Sequence, residues 1–68
     1  MFKKYRKNTI TEIRPYVYGE PMEKIPVNDI DRKNGSPQVG DMVARDPNNL
    51  KDQWLISEAY FRANFEEV

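Results

Sequence analysis

The sequence predicts an α+β domain: a small antiparallel sheet with a hairpin at its centre and a C-terminal helix packed on one face. Three observations predict it. Residues 39–56 read as strand, polar turn, strand, with the only Trp in the returning arm. Residues 57–66 follow with a capping serine and an apolar stripe at helical spacing. Residues 9–18 are rich in β-branched and aromatic side chains, which suit a pleated, half-buried surface.

In chain order, residues 1–8 form a basic start with Phe2 and Tyr5 interleaved and are expected as a flexible, solvated terminus. In the strand 9–18, Pro15 cannot donate to a ladder, so this strand belongs at a sheet edge, bulged or cut short there. An edge would also be a surface on which another chain could pair. Gly19 and Pro21 close it. Residues 20–38 are punctuated by Pro21, Pro26, Gly35 and Pro37. Within them Asn28 can cap one helical turn over 29–33, Asp29 and Asp31 at its start and Arg32 and Lys33 at its end suit the dipole, and Asn34-Gly35 supplies a stop.

In the hairpin, Asp46-Pro47-Asn48-Asn49 is the turn, since proline presets φ and Asx side chains bond nearby amides. Met42 and Ala44 should match Trp54 and Ile56 on one face, and Val43 should match Leu55 on the other. Apolar groups on both faces mean that both are covered. Ser57 then caps the last helix, Phe61, Phe65 and Val68 line one stripe, and Glu58 pairs with Arg62 one turn on. Glu66 and Glu67 oppose the dipole at its end, so the last turn should fray. The expected core is Ile10, Ile13, Val17, Val39, Met42, Val43, Trp54, Leu55, Ile56, Phe61 and Phe65.

Sixty-eight residues make a single domain, 1–68, with a thin core. With 38% hydrophobic and 32% charged residues the chain is polar but outside the disordered range. It contains neither Cys nor His. Disulfides and Cys/His zinc sites are excluded, and tight packing or a homodimer is left to supply stability. No run approaches the ~18 apolar residues of a membrane span, and no apolar run follows the basic start as in a signal peptide. The expectation is a soluble cytoplasmic protein with no membrane contact.

The same composition argues against an enzyme. The usual general base and the thiol nucleophile are both missing, and Ser36 and Ser57 sit at a turn and a cap. Asn28 to Gly35 has alternate oxygen ligands, but it is no calcium loop. Counting Asp29 as the first ligand puts Asn34 where the invariant glycine belongs, and Arg32 and Lys33 oppose a dication. No glycine fingerprint for a phosphate or dinucleotide is present. Neither a metal nor a cofactor is expected.

Binding remains. Net charge is zero, yet residues 1–14 carry five basic side chains against one acidic, +4, and residues 15–68 carry six against ten, −4. Lys3, Lys4, Arg6 and Lys7 among aromatics resemble a single-strand nucleic-acid groove, whereas the acidic remainder and a pI of about 6.2 do not. Arg14, Tyr16, Tyr18, Arg45, Trp54 and Tyr60 are of the types that dominate protein interfaces, with Trp54, mid-strand in the hairpin, expected in the core instead. Tyr16 and Tyr18, flanking the edge strand, are the pair expected to be exposed.

Tyr5-Arg6-Lys7, Glu12-Ile13-Arg14-Pro15-Tyr16, Asn34-Gly35-Ser36-Pro37, Gly40-Asp41-Met42-Val43-Ala44-Arg45-Asp46-Pro47, Asp52-Gln53-Trp54-Leu55, Tyr60-Phe61 and Asn64-Phe65-Glu66 together resemble short proteins encoded by tailed bacteriophages and prophages. The resemblance spans nearly the whole chain. A looser second group of small phage proteins is similar in its basic tyrosine-containing start, its Gly-Asp strand and its closing Phe-Glu helix. Neither group carries an assigned activity, so no functional residue transfers. What the resemblance implies is a setting in the host cytoplasm. There, such proteins bind a host protein in takeover or anti-defence, or act as oligomeric sponges for a signalling nucleotide.

Overall fold

The computed structural model describes residues 2–68. Among them, five strands and two helices follow in the order β1 (Lys3–Arg6), β2 (Ile10–Pro15), α1 (Asp29–Lys33), β3 (Met42–Asp46), β4 (Asn49–Ile56), α2 (Glu58–Asn64) and β5 (Glu66–Glu67). The strands form one antiparallel sheet in the order β4-β3-β2-β1-β5. The fold is α+β, with the C-terminal helix against one face. No helix of the described residues is long and apolar enough to cross a membrane.

Local signals set several elements as expected. Asn28 Oδ1 accepts the Asp31 amide at 2.8 Å and starts α1, and Gly35 follows its end with φ of +102°. Ser57 Oγ accepts the Tyr60 amide at 3.3 Å and starts α2, and Arg62 reaches Glu58 at 2.9 Å. The hairpin register is the expected one: Met42 faces Ile56, Val43 faces Leu55 and Ala44 faces Trp54. Asp46 accepts the Asn48 amide at the turn. The register then shifts between Arg45 and Asp46, so Leu50 to Asp52 bulge out of β4.

Sheet order departs from expectation in three ways. First, β2 is an inner strand, paired with β1 and β3, and offers no free edge. Pro15 is tolerated because it is the last residue of the strand, and the Tyr16 amide beyond it donates to the Asp41 carbonyl at 2.9 Å. Second, the hairpin is not central, because β4 is the edge strand. Its two apolar faces are nonetheless both covered. α2 closes one and the segment 16–27 closes the other. Third, residues 3–6, expected as a solvated tail, form β1 between β2 and β5. Tyr5 packs its ring edge-on to Phe61 at 5.0 Å. Lys3 and Arg6 meet Glu67 and Glu66 at 3.9 and 3.2 Å.

The core has two layers. Under α2, Ile13, Ala44 and Ile56 are buried among Tyr5, Met42, Trp54, Phe61 and Phe65. On the opposite face Ile25, Val43 and Leu55 are buried among Phe2, Tyr16, Met22 and Val27. Three expected core residues lie outside it: Ile10, Val17 and Val39 are 38%, 62% and 74% exposed. Ile10 opens β2 at the end far from the covering segment, and Val17 and Val39 lie beyond the strand ends. α2 stops at Asn64, because Phe65 turns to extended dihedrals and hands the chain to β5. Glu66 and Glu67 therefore never join the helix.

Two polar devices hold the layers. Asp41, 1% exposed, accepts the Ser36 hydroxyl at 2.6 Å, the Gln38 amide at 3.0 Å and the Glu58 amide at 3.1 Å. It thereby ties the 36–40 loop to the start of α2. Gly40 beside it has φ of +104°, and a Cβ there would lie 2.7 Å from Glu58 Oε1. On the other face Glu20 accepts both Arg14 guanidinium nitrogens, at 2.6 and 2.9 Å, and the Val17 amide at 2.7 Å. It latches the segment 16–27 to β2.

The Arg14 hydrogen bond holds the Glu20 carboxyl below its ordinary value, and the same bond raises Arg14. Because the folded value is depressed, the pair's contribution is full above the unfolded glutamate value of about 4.3 and fades as pH falls through the folded value. Glu20→Gln is expected to cost about 1–2 kcal/mol at neutral pH, with the gap in melting temperature from the wild type closing below about pH 4. A gap of equal size in neutral and strongly acidic buffer would exclude this origin.

Candidate binding cleft

The concave feature richest in aromatic walls follows from how three elements meet over the α2 face. β4 brings Trp54 to Ile56, α2 and its exit bring Tyr60 and Phe65, and α1 with its cap brings Asn28 and Asp31. Lys7, from the β1–β2 turn, completes a cleft of about 470 Å³. A neighbouring groove of about 510 Å³, lined by Thr9 to Thr11 and Asp46 to Asn48, shares Trp54 as a wall. Trp54 is thus both a core residue, packed on Ile13, Ala44 and Ile56, and the divider between two surface clefts. Its cross-strand neighbour Ala44 is small.

The aromatic groups of α2 are ordered by contact with one another. Phe61 and Phe65 stack at 6.0 Å, and Tyr60 meets Phe65 edge-on at 6.2 Å. Tyr60 is 44% exposed. The Lys7 ammonium donates to the Tyr60 hydroxyl and lies 4.7 Å from the ring centroid. Asp31, another lining residue, is half-buried and forms no ion pair among the described residues. The cleft therefore combines π faces, one cation and one unpaired carboxylate. These groups suit recognition of a side chain or small amphipathic group.

Of the site residues expected from sequence, only Tyr60 and Lys7 are brought together here. Arg14 and Arg45 lie on the opposite face, one on each flank of Phe2, with guanidinium carbons 5.4 and 3.9 Å from its ring centroid. Each is held by a carboxylate, Arg14 by Glu20 at 2.6 Å and Arg45 by Glu12 at 2.7 Å. Tyr16 is half-buried against the Ile25 layer, so the expected exposed pair is split. Tyr18 alone is open, at 83%, and emerges with Val17 and Val39 at one end of the β2–β3 pair. Of the basic start, Lys3 and Arg6 are paired with β5, and Lys4 is exposed.

Phe65, Asn28, Asp31 and Ser57 are not expected at a site from sequence. Trp54 is of an interface-forming type, but its mid-strand placement points to the core. Nothing in the sequence links Asp31 to Tyr60. Comparison of the chain with protein-family models, curated proteins and solved structures returned no match.

Proposed function

We propose that the protein is a non-enzymatic phage accessory protein that binds a host protein in the host cell, with the Trp54 cleft as its contact site. The observation that carries this reading is the grouping of Trp54, Tyr60 and Phe65 around one cleft with charge on its rim. Partly exposed aromatic side chains in a concave site are the commonest anchors of protein recognition. The phage resemblance supplies the setting, and the lack of histidine and cysteine favours binding over catalysis.

The alternatives have less support. A nucleic-acid surface needs an open basic patch, and Glu66 and Glu67 neutralise half of this one. A nucleotide sponge needs Arg14 and Arg45 free to meet phosphate. They do converge, but on Phe2, each with a carboxylate in place.

The test compares tagged wild-type, Tyr60→Ala and Tyr18→Ala proteins as baits in bacterial host lysate. A host protein should be retained by the wild type and by Tyr18→Ala. Tyr60→Ala should lose about tenfold or more in affinity, as for an interface hot spot. Loss on Tyr18→Ala alone would move the interface to the Val17–Tyr18–Val39 end, and retention of no specific host protein would end the reading.

A further inference from the structure

Resting on the cleft as the partner-binding site, we infer that what it receives is a basic side chain of the partner, an arginine or lysine, in the place that Lys7 now takes. The chain's own lysine already brings a cation to the cleft. Its ammonium meets Tyr60 at the hydroxyl edge of the ring, 4.7 Å from the centroid, and a cation placed over a ring face within ~6 Å would be attracted by its π density. Trp54, whose indole is the strongest such face, and Phe65 line the same cleft.

Asp31 supplies the second half of the recognition. It lines the same cleft, and its carboxylate has no ion pair among the described residues. A guanidinium or ammonium entering the cleft would meet both π density and a full negative charge. An anion would meet Lys7 but face repulsion from Asp31 and from the ring faces, so charge complementarity selects the cation. Residues 15–68, which form most of the walls, carry a net charge of −4.

Lys7 is a replaceable occupant. It is exposed, on a turn, and held by one exposed hydrogen bond to Tyr60. A flexible stem lets its head move into water at little cost. Lys7 therefore acts as an internal competitor that lowers affinity until a partner's cation displaces it.

Trp54 is the chain's only tryptophan, so its fluorescence reports on the cleft directly. The full chain is titrated with Nα-acetyl-arginine amide, Nα-acetyl-lysine amide and, as the uncharged counterpart, Nα-acetyl-norleucine amide. The basic amides should give a saturable change in the millimolar range and bind about fivefold or more tighter than norleucine amide. Asp31→Asn should weaken them about fivefold, and Lys7→Met should tighten them by a similar factor. Circular dichroism checks that both variants fold.

Norleucine amide binding as tightly as arginine amide would overturn the cationic ligand while leaving the cleft a binding site. Affinity unmoved by both Asp31→Asn and Lys7→Met would overturn it as well. No saturable change with any amide would do the same. The cleft reading itself is decided separately, by the lysate capture with wild-type, Tyr60→Ala and Tyr18→Ala baits.

Discussion

Asp41→Ala is expected to leave most of the chain unfolded at physiological temperature. The carboxylate is buried and serves three donors, Ser36 Oγ, Gln38 N and Glu58 N, from two separate parts of the chain. Alanine removes the acceptor and leaves those donors facing protein rather than water. With ~1.5–3 kcal/mol for a hydrogen bond to a charged group, and incomplete additivity, the loss is about 3–5 kcal/mol. A single core of this size supplies only ~3–5 kcal/mol in total.

For a loss of about 3–5 kcal/mol, the melting temperature should fall by about 12–40 °C, at ~4–8 °C per kcal/mol. Graded substitutions separate the mechanism from a general effect of mutating the loop. Ser36→Ala removes one donor together with its need and should cost only ~1–2 kcal/mol. Asp41→Asn keeps an oxygen for the Glu58 amide but turns an NH2 toward the Gln38 amide, so it should fall between the two. A thermal melt of Asp41→Ala within a few degrees of wild type would mean that water satisfies these donors.

How far each feature was legible follows from how local its cause is. Both helix caps, the hairpin register and the Glu58–Arg62 pair depend on residues a few positions apart, and all were readable. The strand order was not, because it depends on partners at opposite ends of the chain. β1 is held by β5, where Arg6 pairs with Glu66 across 60 residues. The trace of this in the sequence was the charge asymmetry. It reads as a signal for an outside partner, but Lys3 and Arg6 spend their charge on the closing acidic pair inside the fold.

Other misses have the same source. Ile25 is 7% exposed, yet it lies in a proline-punctuated segment with no periodicity to mark it. Gly40-Asp41 reads as the opening of a strand, and its tertiary role as a second cap on α2 appears only when Glu58 is in place. The cleft is the extreme case. Its walls come from the β1–β2 turn, α1, β4 and α2, so Trp54, Tyr60, Lys7 and Asp31 share no local pattern.

Ile13→Ala is expected to give the second-largest loss, about 2–5 kcal/mol, and Ile10→Ala less than about 0.5 kcal/mol. By β-propensity alone the two isoleucines are equal core candidates in one strand, three residues apart and so on opposite faces. They differ in burial, at 1% and 38% exposed. Ile13 sits on an inner strand against Ala44 and Ile56, the floor on which Phe61, Phe65 and Trp54 rest. Deleting its outer carbons opens a cavity under α2 that Ala44, already small, cannot fill.

The same cavity should reach the cleft, since Trp54 and Phe65 touch both the floor and the binding wall. Ile13→Val, at ~0.5–1.5 kcal/mol, stays folded and makes the coupling measurable. Its Trp54 emission should shift and its affinity for arginine amide should drop, whereas Ile10→Ala changes neither by way of the core. Equal losses for Ile13→Ala and Ile10→Ala in urea melts would show that the α2 layer does not rest on Ile13.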